Sequence, residues 1–159
     1  MTSNAIKYRM PLGFAGDVTR AQSSTIEARL IDGTTPPLKY GIPVKLVSGK
    51  IQPIASGDAA TDIYGWLVRP YPTSGTGSQT GSNVPSTTQA CDVMRRGYIA
   101  VALTRGTAAL GAPAYVRITA GSHAVGDIED GPDTAACVVC GTFMGPAGDD
   151  GIVEIAYNI

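Results

Sequence analysis

Glycine and proline interrupt this chain so often that no helix of ordinary length fits into it. Twenty glycines and eleven prolines are spread through 159 residues, and no uninterrupted helical period of ~12 residues survives between them. What lies between the breaks is short, β-branched and aromatic. Strands are therefore expected at "TIEARLI" (25–31), "IPVKLV" (42–47), "KIQPI" (50–54), "DIYGWLVR" (62–69), "VMRRGYIAVAL" (93–103), "AYVRIT" (114–119), "ACVVCGTFM" (136–144) and "IVEIAYN" (152–158). Short strands joined by turns predict an all-β protein, a single β-sandwich or barrel. Ser48-Gly49 sits at hairpin spacing between two of them, where both residues must tolerate positive φ. "GDDG" (148–151) reads as the turn before the last strand, its aspartates accepting from nearby backbone amides.

Two stretches fit neither period. Residues 1–20, "MTSNAIKYRMPLGFAGDVTR", mix isolated apolar anchors with Gly and Pro and read as an extended N-terminal arm lying on something else. Residues 70–90, "PYPTSGTGSQTGSNVPSTTQA", carry no charge and are rich in Ser, Thr and Gly, the composition of a long flexible surface loop. The expected organisation is an arm at 1–20 and one β domain at 21–159, interrupted by that loop.

Composition narrows the partners. Only 16% of residues are charged, against roughly 25% in an average soluble domain, so the surface is largely neutral. A net charge of −1 without a basic run gives no footprint for nucleic acid or an anionic membrane. No apolar stretch approaches the ~18–20 residues that span a bilayer, and "MTSNAIKYRM" lacks the apolar core of a secretory signal, so a cytoplasmic origin is expected. Three cysteines make no disulfide framework, and unbridged thiols are expected.

Residues that could carry chemistry have simpler readings. "CVVC" (137–140) would place its sulfurs on opposite faces of a strand, with no second pair to complete a zinc site. His123 is the only histidine and sits in a loop beside Ser122, too close in sequence for triad geometry. "GDIEDGPD" (126–133) is acidic but lacks the spacing of a calcium loop, and most other aspartates adjoin turn glycines. No catalytic, cofactor or metal residue is assigned, and no enzyme activity is expected. The adjacent Arg95 and Arg96 cannot converge on one phosphate from a strand, because neighbours point to opposite faces. Arg95 is expected to share a face with Val93, Ile99, Val101 and Leu103, with Gly97 marking a possible bulge. One or both arginines should meet a carboxylate or lie at an interface.

The order of landmarks resembles one known family. "GDVTR" (16–20), "YGIPVKL" (40–46), "IYGWLVRPYP" (63–72) and, less specifically, "GAPAYV" (111–116) are similar to the structural cement, or decoration, proteins of tailed bacteriophages, over nearly the whole chain. The resemblance implies a small β-sandwich or jelly-roll-like barrel and a non-enzymatic virion protein, assembled in the bacterial host cytoplasm, on the outer surface of a capsid. There it would bridge subunits of a major capsid protein with the HK97-type fold. It also implies self-association at a symmetry axis, as a dimer or a trimer, with the dimer favoured. In that setting Tyr8, Met10, Leu12, Phe14 and Arg20 of the arm are the expected contacts, beside Arg95 and Arg96. The alternative is a carbohydrate-binding or host-attachment module using Tyr64, Trp66 and Tyr71 as a stacking platform.

Overall fold

A computed structural model describes residues 12–70, 85, 87, 89–132 and 136–159 of the chain. Most of the expected 70–90 loop and residues 1–11 of the expected arm lie outside them. Among the described residues the strands are β1 (Thr25–Ile31), β2 (Pro43–Val47), β3 (Lys50–Pro53), β4 (Gly65–Leu67), β5 (Ala90–Arg105), β6 (Pro113–Arg117), β7 (Ile128–Glu129), β8 (Cys137–Phe143) and β9 (Ile152–Tyr157). Two short 3-10 turns, Ala21–Ser23 and Ala60–Asp62, accompany them. The chain is nearly all β and forms one continuous sheet, compatible with the expected sandwich or jelly-roll-like barrel.

The sheet closes on itself twice. β1 pairs in parallel with β3, which continues antiparallel through β2 and β4 to β5, and β5 returns antiparallel to β1. The second circuit runs from β5 through β7, β6, β8 and β9 back to β5. β5 is 16 residues long and belongs to both circuits. Closure leaves few unpaired edges, the main hazard of an all-β chain.

A one-residue bulge lets β5 serve both. In the β1–β5 ladder Thr25 faces Arg96 while Ile26 faces Met94, so Arg95 is the extra residue. Side chains alternate along a strand, and one inserted residue exchanges the two faces beyond it. Val93 accordingly joins a small cluster with Val44, Ile51 and Leu67. Met94 joins Ile99, Val101, Trp66, Val116, Phe143, Val153 and Ile155 in the main core. This corrects the expected register: Arg95 and Val93 do not share a face with Ile99 and Val101, and the break falls at Arg95 rather than at Gly97. Large side chains such as Trp66 and Phe143, both at 0% exposure, each contribute on the order of 1.5–3 kcal/mol by burial.

Local chemistry explains the element ends. Ser48 and Gly49 take φ of 50° and 79°, as the two-residue hairpin loop between β2 and β3 requires. At the "GDDG" turn the Ile152 amide donates to the Asp150 carboxylate, and the Gly148 amide donates to the Ile152 carbonyl. β4 is shorter than expected, and Asp62 at the start of the expected strand instead ends a 3-10 turn, Ala60–Asp62, where it accepts from the Ala59 amide. β7 was not expected: its two residues sit inside the acidic run 126–133, where no strand was expected.

Candidate functional site: the N-terminal segment and the double-arginine corner

Residues 12–20 lie along β5, in the gap that β4 and β7 leave on one of its edges. The Gly16 amide donates to the Ala100 carbonyl (2.8 Å), the Ala100 amide to Asp17 (2.9 Å) and the Thr19 amide to Tyr98 (3.1 Å). Val18 and Ile99 form an antiparallel bridge. Close backbone approach needs the glycines here: a Cβ on Gly41 would meet the Gly16 nitrogen at 2.6 Å. Side chains fasten the same segment. Arg20 donates Nε and Nη2 to the two oxygens of Glu154 at 3.0 and 2.8 Å, and Thr19 donates to that carboxylate as well. The hydrogen bond to Glu154 raises the Arg20 pKa, and the guanidinium covers the Tyr98 ring at 4.1 Å.

The expected contact residues divide accordingly. Tyr8 and Met10 lie outside the described residues. Leu12 is half-buried, and Phe14 is 40% exposed with the Arg69 guanidinium 4.6 Å over its ring. Arg20 keeps much of its surface but is held by Glu154 of its own chain. Beside Phe14 opens a groove of about 380 Å³, reached also by Leu38, Tyr40, Ile42, Thr104 and Ile152.

The bulge places the two arginines differently. Arg96 is exposed, whereas Arg95 is half-buried with its guanidinium 3.6 Å from the centre of the Tyr64 ring. Arg29 covers the same ring at 5.6 Å and donates to the Tyr64 hydroxyl oxygen and to Glu27. The Tyr64 hydroxyl in turn donates to Glu27 at 2.7 Å. That hydrogen bond, followed by the charges of Arg29 and Arg95, holds the Glu27 carboxyl below the usual range. Arg95 thus meets an aromatic face rather than a carboxylate, and its buried Nε has no hydrogen-bond partner.

The other chemical candidates stay apart. None of the three cysteines is in a disulfide. Cys140 lies in the core with its thiol pushed up by burial, and Cys137 lies beside Glu129. His123 is half-buried in the loop before β7. Among the described residues no cluster of three His, Cys, Asp or Glu could hold a metal ion. Trp66 is fully buried in the main core while Tyr64 packs on the smaller cluster, so the two do not form a sugar-stacking platform; Tyr71 lies outside the described residues.

Sequence reasoning missed the carboxylates that matter most. Glu129, in the acidic run, is 0% exposed and bound by Arg117 at 2.6 and 3.1 Å and by Arg105 at 3.1 Å. Glu154 is the fastener of the N-terminal segment. A signal for both was present, because Arg117 in "AYVRIT" and Glu154 in "IVEIAY" are lone charges inside apolar strands, and a buried charge requires a partner.

Over residues 1–158 the chain matches the family described as Structural cement protein (E217 gp24/Pam3 gp6), and it belongs to that family. Among individually curated proteins no sequence matches it. Its fold is similar to that of a chain in the solved structure "The capsid of Myoviridae Phage XM1". The TM-score is 0.69 at 18% identity, over 96% of this chain and 94% of that one.

Proposed function

We propose that this protein is a non-enzymatic cement protein that binds the outer surface of a phage capsid and stabilises the virion by bridging neighbouring subunits of its major capsid protein. The observation that carries this reading is the family match along 158 residues of the chain. The partner is a shell with the HK97-type fold, and the chain self-associates on a symmetry axis, as a dimer in preference to a trimer.

The mechanism is avidity. An arm and a body that touch different subunits turn the second contact into an intramolecular one, so modest contacts resist separation together. Residues 12–20 supply the mechanical link. They are hydrogen-bonded to β5, the strand common to both circuits, so a load on residues 1–11 enters the centre of the fold. Tyr8, Met10, Leu12 and Phe14 contact the shell in this reading.

The test uses particles assembled without this protein, to which the purified chain or a variant lacking residues 1–11 is added. The full chain should co-sediment with the particles and raise the temperature at which they release DNA. The shortened chain should keep its own unfolding midpoint and lose most of that effect. Particles whose DNA-release temperature is unmoved by saturating full-length chain would refute the function; equal protection by the shortened chain would refute the arm.

A further inference from the structure

Arg95 is a cation placed with unusual care and given nothing to bind. As the bulged residue of β5 it is turned onto Tyr64, with its guanidinium carbon 3.6 Å from the ring centre. Its Nε is shut away from water without an acceptor, a condition that costs on the order of 1–3 kcal/mol in a folded protein. Among the described residues it has no ion-pair partner. The carboxylate nearest in charge, Glu27, already accepts from Arg29 and from the Tyr64 hydroxyl. The corner therefore holds the guanidinium groups of Arg29 and Arg95 around a single carboxylate, with the exposed Arg96 next in sequence.

Apart from Asp92, the described carboxylates of this chain are engaged at home, which favours an acceptor on a different protein over one on a second copy. They are held by Arg20, Arg29, Lys45, Arg69, Arg105 or Arg117, or they cap turns. Asp92 alone is without such a partner. A stacked guanidinium offers its donors in one plane, which matches the two oxygens of a carboxylate. Arginine and tyrosine together, partly desolvated, are also the residue types that dominate binding energy at protein interfaces.

We propose that the Arg95–Tyr64 corner is a receptor for an acidic side chain, aspartate or glutamate, of the shell protein. The inference rests on the cement reading and assigns one residue-level contact within it. Tyr64 orients the guanidinium before the partner arrives, so little side-chain entropy is lost on docking. Binding supplies the Arg95 Nη groups with the acceptor that the isolated chain lacks, while the enclosed Nε stays as it is.

The experiment measures binding of the intact chain to particles assembled without it, comparing wild type with Arg95→Gln and Arg95→Lys at low and high salt. Arg95→Gln should weaken binding by about thirtyfold or more, the scale of an interface hot spot. Arg95→Lys should recover little of this, because an ammonium neither stacks flat nor offers a planar fork. Raising the salt should weaken the wild type more than Arg95→Gln. The unfolding midpoint of the free variants should stay within about 2 °C of wild type, since the substitution also removes a buried donor with no acceptor. Binding by Arg95→Gln within about threefold of wild type would overturn the proposal, and so would a large loss of stability in the free variant, which would make Arg95 a structural residue. Failure of the wild type itself to bind would instead remove the cement reading, and this proposal with it.

Discussion

Gly97 is a point where the double closure of the sheet is sensitive to a single methyl group. Its φ is +137°, and a Cβ added there would come 2.7 Å from Ser24 Cβ and 2.8 Å from Ser24 Cα, with Ser24 Oγ nearer still. Gly97→Ala therefore meets two separate penalties. A side chain at such a φ costs about 1–3 kcal/mol, and overpacking against the Ala21–Ser24 turn costs about 1–3 kcal/mol more. The sum, about 2–6 kcal/mol, corresponds in a chain of this size to a fall in Tm of roughly 4–24 °C. Gly49→Ala is the control: φ is +79° and nothing lies within 4 Å of the added Cβ, so only the backbone penalty of about 1–2 kcal/mol remains. Ser24→Gly in the Gly97→Ala background removes the Oγ and Cβ obstacles and should return about 1–2 kcal/mol, read as the coupling in a double-mutant cycle. Urea titration of five proteins, wild type, Gly97→Ala, Gly49→Ala, Ser24→Gly and the double variant, measures all of this. A Gly97→Ala loss no larger than that of Gly49→Ala, or a coupling of zero, would refute the close approach of residues 21–24 to β5.

Two further outcomes follow from the same geometry. Glu154→Gln removes a charge-assisted anchor of the kind worth about 1.5–3 kcal/mol, so amide exchange at Gly16, Thr19 and Ala100 should quicken by about tenfold or more; unchanged exchange would show that the segment is held by its backbone alone. Acid should weaken the fold in part through Asp58. Burial pushes its carboxyl up, but hydrogen bonds from the Lys45 ammonium and the Ala55 amide outweigh that and hold it below the usual range. A depressed carboxylate binds fewer protons folded than unfolded. Its stabilisation is therefore present above the ordinary carboxylate pKa and lost as the pH falls through the lower folded value. Urea midpoints taken from about pH 6 down to about pH 3 should fall less steeply for Asp58→Asn than for wild type, and identical slopes would refute the assignment.

The strands were legible wherever one period governed one stretch of chain. "IPVKLV" and "KIQPI", with Ser48-Gly49 between them, state a hairpin in purely local terms, and the structure has it there. β7 was illegible because a strand of two residues has no period to display, and its aspartate-rich neighbours do form turns. Ile128 and Glu129 become strand because Tyr115 and Val116 of β6 lie on one side of them and Leu103 and Arg105 of β5 on the other. The corner around Tyr64 was half legible. That Arg95 and Arg96 diverge is expected from alternation, but that Arg95 meets Tyr64, 31 positions earlier in the chain, depends on the bulge and on how β4 pairs with β5.

By itself the amino-acid sequence determined the all-β class, the places of the turns, the neutral surface and the family, because these depend on composition, on short periods and on motifs contained within a few residues. Tertiary structure alone decided that β5 closes two circuits, that its faces exchange at Arg95, and that Glu154 and Glu129 are bound rather than solvated. A bulge is fixed by the strand lying opposite, and a buried charge by the partner folded against it. Both are contacts between residues far apart along the chain, whose distance no local pattern records.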